Sequence, residues 1–252
     1  MADLRHVTPN RLTIVARRER NQSRLIILAI SIPASLLVAA LIHPLAGLAS
    51  LTLALFMVTT LQLDPTIQAG AKGEDIALRL LQKLPDYYTL INQLDLPNAR
   101  SRSGHTEADL IVAGPDCLFV IEVKHNHGRI DCDENRLEWQ ISNTGRKGIA
   151  YDKSMRNPVA QVKQQVWLLA DYLKLRRTRT WIQPIVLFTH PAAELINYET
   201  TQVPLLKPDQ LLAYLLSYQP INPRPVSAQV ISALVALKQG EPIIEHPLPV
   251  TA

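Results

Sequence analysis

Asp109, Glu122 and Lys124 are the residues of this 252-residue chain whose types and spacing could do chemistry. They sit in two apolar, β-rich runs, Ala108–Ala113 and Cys117–Lys124, on either side of Gly114-Pro115-Asp116. The pattern reads as a hairpin. With Pro115 and Asp116 as the turn residues, Asp109 falls directly opposite Glu122. Lys124 shares their face, because strand side chains repeat every second residue. Two carboxylates side by side in an apolar hairpin repel each other and resist burial. A hard divalent cation with oxygen ligands, Mg²⁺ or alternatively Mn²⁺, relieves both costs. A lysine two residues from the second acid could hold a water or a phosphate oxygen beside such an ion. The plainer alternative makes Glu122 and Lys124 ordinary neighbours on a half-exposed strand. The uncharged run from Cys117 to Ile121 argues against a solvated face.

The elements that must position these residues can be read on both sides of the hairpin. Gly70-Ala71-Lys72-Gly73-Glu74 opens a helix that ends near Leu84-Pro85. On a helical wheel Glu74 falls inside the apolar arc of Ala77, Leu78, Leu80, Leu81 and Leu84, whereas Asp75 lies on the wet side and pairs with Arg79. Glu74 could be a first-turn acid favoured by the helix dipole, but its direction is inward. Tyr87–Leu94 reads as a strand and 95–104 as a polar loop. Arg129–Cys132 and Leu137–Ile141 read as a second hairpin. Asn157-Pro158 starts another helix, with proline in the first turn. Its stripe is Val159, Val162, Val166, Leu169 and Leu173, and Gln161 flanks that stripe, within reach of the strand face. Trp181–Thr189 reads as a buried strand, Pro208–Tyr218 and Val226–Gln239 as closing helices, and 241–252 as a loose Pro-rich tail. The expected architecture is α/β, a mixed central β-sheet flanked by helices.

Apolar residues make up 47% of the chain and charged ones 19%, which excludes a disordered or collagen-like protein. Charge is distributed in blocks. Residues 1–24 hold six arginines against two acids, and 25–63 hold no charge at all. Residues 64–143 are acidic and 144–180 strongly basic. A bilayer crossing takes about 20 apolar residues, so the uncharged segment predicts two transmembrane helices, Leu25–Ile42 and Leu45–Leu63, broken at His43-Pro44. The arginine-rich flank keeps the N-terminus in the cytoplasm, and a second crossing returns residues 64–252 to the same side. The expected setting is the cell (inner) membrane. Cys117 and Cys132 then face a reducing compartment, one buried and one partly exposed.

Four motifs in order resemble the NERD (nuclease-related) domain of the PD-(D/E)xK nuclease superfamily: G-x-x-G-E at Gly70–Glu74, A-D-L-I-V-A-G-P at Ala108–Pro115, F-V-I-E-V-K at Phe119–Lys124 and N-P-x-x-Q at Asn157–Gln161. The resemblance implies a restriction-endonuclease-like core, within a domain spanning 64–240. It implies that Asp109 and Glu122 chelate Mg²⁺, that Lys124 orients or activates the attacking water, that Glu74 supports the metal shell, and that Gln161 is an accessory residue.

The reaction expected from these residues is metal-dependent phosphodiester hydrolysis. Arg146, Lys147, Lys153, Arg156 and Lys163 supply phosphate contacts, to DNA rather than RNA, and no base-reading motif accompanies them. Two other classes fit the same composition: a membrane-tethered nucleic-acid binder that does not cut, and an interaction protein that recruits a partner to the bilayer. Loss of Lys124 separates them, being harmless in both and fatal to a nuclease.

Overall fold

The computed structural model describes residues 1–60, 65–145 and 148–240. Arg146 and Lys147, the end of the apolar segment at 61–63 and the tail at 241–252 lie outside the described residues. In chain order the elements are β1 (Asp3–His6), α1 (Arg11–Leu41), α2 (Pro44–Thr60), α3 (Pro65–Leu81), β2 (Thr89–Pro97), β3 (His105–Ala113), β4 (Leu118–Lys124), β5 (Gly128–Asp131), β6 (Glu138–Thr144), β7 (Ala150–Arg156), α4 (Pro158–Leu175), β8 (Ile182–Phe188), β9 (Ala193–Ile196), β10 (Leu205–Leu206), α5 (Pro208–Ser217) and α6 (Ala228–Lys238). They form two compact units, Pro9–Lys72 and the remainder, Met1–Thr8 with Gly73–Ala252.

The smaller unit holds the helical pair α1–α2 and the start of α3. Asn10 caps α1, its side-chain oxygen accepting from the amides of Leu12 and Thr13. The chain breaks before Pro44 as expected, since proline cannot donate to the preceding turn. A Cβ at Gly47 would meet Ala39 Cβ at 2.4 Å, so the missing side chain is what lets α2 lie against α1. Ser50 Oγ donates to Ser35 Oγ across the same contact at 2.8 Å. One helix among the described residues, α1, is long and apolar enough to cross a bilayer, with a mean hydropathy of 2.3 in its most apolar stretch. The apolar α2 spans 17 residues. The N-terminal segment differs from expectation. Residues 11–24 are part of α1, and residues 3–6 form a strand of the larger unit, so 1–24 is not a separate basic segment.

The larger unit is built on a mixed six-stranded sheet, ordered β1-β2-β3-β4-β8-β10. β2, β3 and β4 run antiparallel in sequence, and β8 lies parallel to β4. The hairpin has the expected register, with Leu110↔Ile121, Ile111↔Val120, Val112↔Phe119 and Ala113↔Leu118. One face packs Val120, Ile111 and Leu118 against Val159, Val162 and Leu169 of α4 and Val230 and Leu234 of α6. The other packs Leu110, Val112, Phe119 and Ile121 against Ala77 and Leu81 of α3, Leu84 just beyond it, and Leu211 and Leu215 of α5. A second sheet, β7-β6-β5-β9, extends from the first core through Ile130, Trp139 and Ile141.

Three further differences bear on the site. α3 begins at Pro65, a turn before the glycine motif. The polar loop after β2 is shorter than 95–104, because strand pairing continues to Pro97↔His105. Residues 150–156 form β7, an exposed edge strand, where the sequence suggested a basic connection. Both cysteines are buried and free, and burial pushes each thiol up to about 12, so neither is the partly exposed group expected of one of them.

Candidate active site

The end of the β3–β4 hairpin forms the floor of a cleft of about 360 Å³. Asp109, Glu122 and Glu107 line it together with Gln161, Gln164 and Gln165 of α4, Arg156 at the end of β7, and Asn98, Arg100 and Ser101 from the β2–β3 loop. Asp109 Oδ2 accepts from the amide of Val123 at 2.7 Å, which ties the first acid to the strand carrying the second. Glu122 is 4% exposed. Its Oε1 accepts from Lys124 Nζ at 2.6 Å, the contact expected for same-face neighbours two residues apart. Its Oε2 accepts from Gln165 Nε2, also at 2.6 Å.

Glu74 of α3 is turned inward, as its wheel position predicts, and is 6% exposed; it does not line the cleft but lies near enough to feel the charges of Glu107, Asp109 and Glu122. Gly73 makes this possible. A Cβ there would lie 2.9 Å from His125 Cβ and 3.0 Å from Thr189 Oγ1, so a larger residue would hold α3 away from the ends of β4 and β8. Glu74 Oε2 accepts from Gln93 Nε2 at 3.0 Å. Burial, then the negative charge of Glu107, pushes the Glu74 carboxyl up to about 7. Burial and the neighbouring Glu122 carboxylate likewise raise Asp109 well above the ordinary carboxylate range.

α4 is set by Asn157, whose Oδ1 caps the helix through the amides of Val159 and Ala160. Its Nδ2 donates to the carbonyls of Glu134 and Arg136, which anchors the helix start to the second sheet. From this start the glutamine that touches Glu122 is Gln165, one turn beyond Gln161. Gln161 lines the cleft, and the contact with Glu122 is made by Gln165, which also donates to the Glu107 carbonyl at 3.0 Å. A signal existed in the sequence. Gln165 falls within the arc of Val162, Leu168, Leu169 and Tyr172, a polar residue in an otherwise apolar stripe. Glu107 was missed as well, and two residues before Asp109 on one strand it had the spacing to be noticed.

Residues 69–189 match the family model of the nuclease-related domain, NERD. The NERD match begins just before the glycine motif and ends at the residue after β8, so it contains Glu74, Asp109, Glu122, Lys124, Gln161 and Gln165, while β1, α5 and α6 lie outside it. The match suggests a nuclease-related function. No curated protein and no solved structure matches the chain.

Donor chemistry in the NERD cleft suits a hard divalent cation. Asp109 and Glu122 are adjacent oxygen donors, and the Oε1 atoms of Gln161 and Gln165 are buried without a hydrogen-bond partner. Among the described residues no three His, Cys, Asp or Glu side chains form a group able to hold a metal ion. An ion held by Asp109 and Glu122 would therefore keep much of its water, as Mg²⁺ commonly does. Of the basic residues proposed from sequence, Arg156 is at the cleft. Lys153 is exposed and sits over the Tyr151 ring, 5.4 Å from its centroid. Lys163 is paired with Glu134 and is not in the cleft lining. Arg100, in the β2–β3 loop, is a cleft cation that the sequence reading left unassigned. His125 and His127 lie with their rings 4.9 and 5.3 Å from that of His190, also outside the cleft lining.

Proposed function

We propose that the protein is a membrane-anchored, Mg²⁺-dependent nuclease of the PD-(D/E)xK type that hydrolyses phosphodiester bonds, in DNA with little sequence specificity. The observation that carries this reading is the meeting of Asp109 and Glu122 in one cleft within a nuclease-related domain, with Lys124 donating to Glu122. Asp109 and Glu122 are the residues that would hold the divalent ion, with Glu74 supporting them. When bound, that ion neutralises phosphate charge and lowers the pKa of water in its shell.

The chain's own residues account for the rest. Lys124 places an ammonium beside Glu122, where it can orient a water and stabilise charge that develops on a phosphate oxygen. Gln165 and Lys124 hold the two oxygens of Glu122, so the carboxylate enters the reaction already oriented. Glu74, with a carboxyl that titrates at about 7, can hold or release a proton near neutral pH. Arg100 and Arg156 offer phosphate contacts at the cleft. The helical pair α1–α2, with its arginine-rich start, is read as the anchor in the inner membrane, with both termini of the pair on the cytoplasmic side.

The test uses the full-length protein in detergent micelles, because Asp3–His6 is a strand of the nuclease sheet. Plasmid, linear duplex, single-stranded DNA and RNA are incubated with Mg²⁺, Mn²⁺ or EDTA, with Lys124→Ala and Glu122→Ala alongside. Metal-dependent cleavage that is lost in both variants is the expected result. Binding without cleavage in all three proteins would replace this reading with a tethered nucleic-acid binder.

A further inference from the structure

Gln93 breaks the regularity of the active-site sheet. Its φ is +48°, and among the described residues it is the one non-glycine strand residue with a positive φ. It is fully buried. It stands opposite Asp109 at the single interruption of the β2–β3 ladder, which pairs Asn92↔Leu110 and Leu94↔Ala108 but not the two residues between. The alternation of side chains slips by one residue there. Ile91, Leu94 and Leu96 all belong to the core under α4 and α6, as do Ala108 and Ile111 on the partner strand. Regular alternation from Ile91 would turn residue 93 toward that same core. Instead its amide donates to Glu74 of α3, the helix on the opposite face.

A left-handed glutamine persists only where its surroundings hold it. The holding group is on α6. Lys238 Nζ donates to the carbonyl of Asn92 at 2.5 Å and to that of Gln93 at 3.1 Å. A lysine in the last turn of a helix ordinarily serves the helix dipole in water, but this one caps carbonyls of a buried strand. We infer that Lys238 is a positioning residue for the candidate active site: by holding the carbonyls of Asn92 and Gln93 it fixes the kink in β2 that presents the Gln93 amide to Glu74. The C-terminal helix, outside the NERD match, thereby becomes part of the machinery that orients the acid cluster. The functional consequence rests on the nuclease reading, whereas the clamp itself does not.

The experiment is a double-mutant cycle on the full-length protein in micelles, read by thermal unfolding and by cleavage kinetics. Glycine adopts positive φ without being held. Lys238→Met therefore lowers Tm by roughly 2–8 °C in the wild-type background and by clearly less in the Gln93→Gly background, where only the uncapped carbonyls are left to cost stability. Lys238→Met that folds only together with Gln93→Gly gives the same answer. Additive losses in Tm, or failure to fold in both backgrounds, overturn the clamp. In the cleavage assay Gln93→Gly lowers kcat roughly tenfold at unchanged KM, and Lys238→Arg recovers most of what Lys238→Met loses. Variants that cleave like an active wild type overturn the positioning role. A wild type that cleaves nothing removes the nuclease reading and leaves the thermal cycle to decide the clamp.

Discussion

Gln165 donates its side-chain amide to Glu122 Oε2 at 2.6 Å, and 43 residues separate the two in sequence. With Lys124 on Oε1, the carboxylate is held at both oxygens. Gln165→Leu should leave nucleic-acid binding intact and lower kcat by about 10- to 100-fold, the range for a partner that orients a metal-site carboxylate. Gln161→Leu should cost less, because Gln161 makes no contact of this kind with Glu122. Steady-state kinetics on both variants compare the two roles directly.

The acid cluster gives the fold an unusual pH dependence. Glu74 titrates at about 7, above the ordinary value of 4.5. The native state therefore holds a proton that the unfolded chain has already released between those pH values. Stability falls as pH rises through that window, by on the order of 3 kcal/mol for this one group. Asp109 acts in the same direction. In EDTA, Tm should be higher at pH 5 than at pH 8, and Glu74→Gln should raise Tm at pH 8 and flatten the profile. Millimolar Mg²⁺ at pH 8 should restore stability to the wild type by binding the native state alone.

Gly73 inverts the usual rule for helices. Glycine to alanine in a helix ordinarily stabilises by about 1 kcal/mol. Here the new methyl would sit 2.9 Å from His125 Cβ, close to the backbone, where the neighbour has little room to yield. Gly73→Ala should destabilise by roughly 1–3 kcal/mol and displace Glu74 from the cluster. A lower Tm accompanied by lower cleavage checks both consequences.

Phosphate contacts should follow cleft position rather than membership of the basic block. Arg100→Ala and Arg156→Ala should each weaken duplex binding and reduce the slope of log affinity against log salt by about 0.9. Lys163→Ala, which removes the partner of Glu134 away from the cleft, should leave that slope unchanged. Fluorescence anisotropy across a salt series measures all three.

Much of the site was legible in the sequence because local chemistry determined it. The turn at Pro115-Asp116 set the hairpin register, the two-residue period put Lys124 beside Glu122, and the helical period turned Glu74 inward. Asn157-Pro158 marked the start of α4. Each is a relationship within one element or between neighbours in the chain. Only the tertiary structure decided that Gln165, and not Gln161, meets Glu122, since that depends on how a helix is seated over a distant strand. Only it showed residues 3–6 pairing with β2, or residues 150–156 as an edge strand. β7 is exposed along almost its whole length and carries no apolar alternation, so its strand state comes from backbone pairing with β6. Only it revealed Gln93 in the left-handed region under the hold of Lys238. A local pattern cannot encode such a conformation, because the energy that maintains it comes from a side chain 145 residues further along the chain.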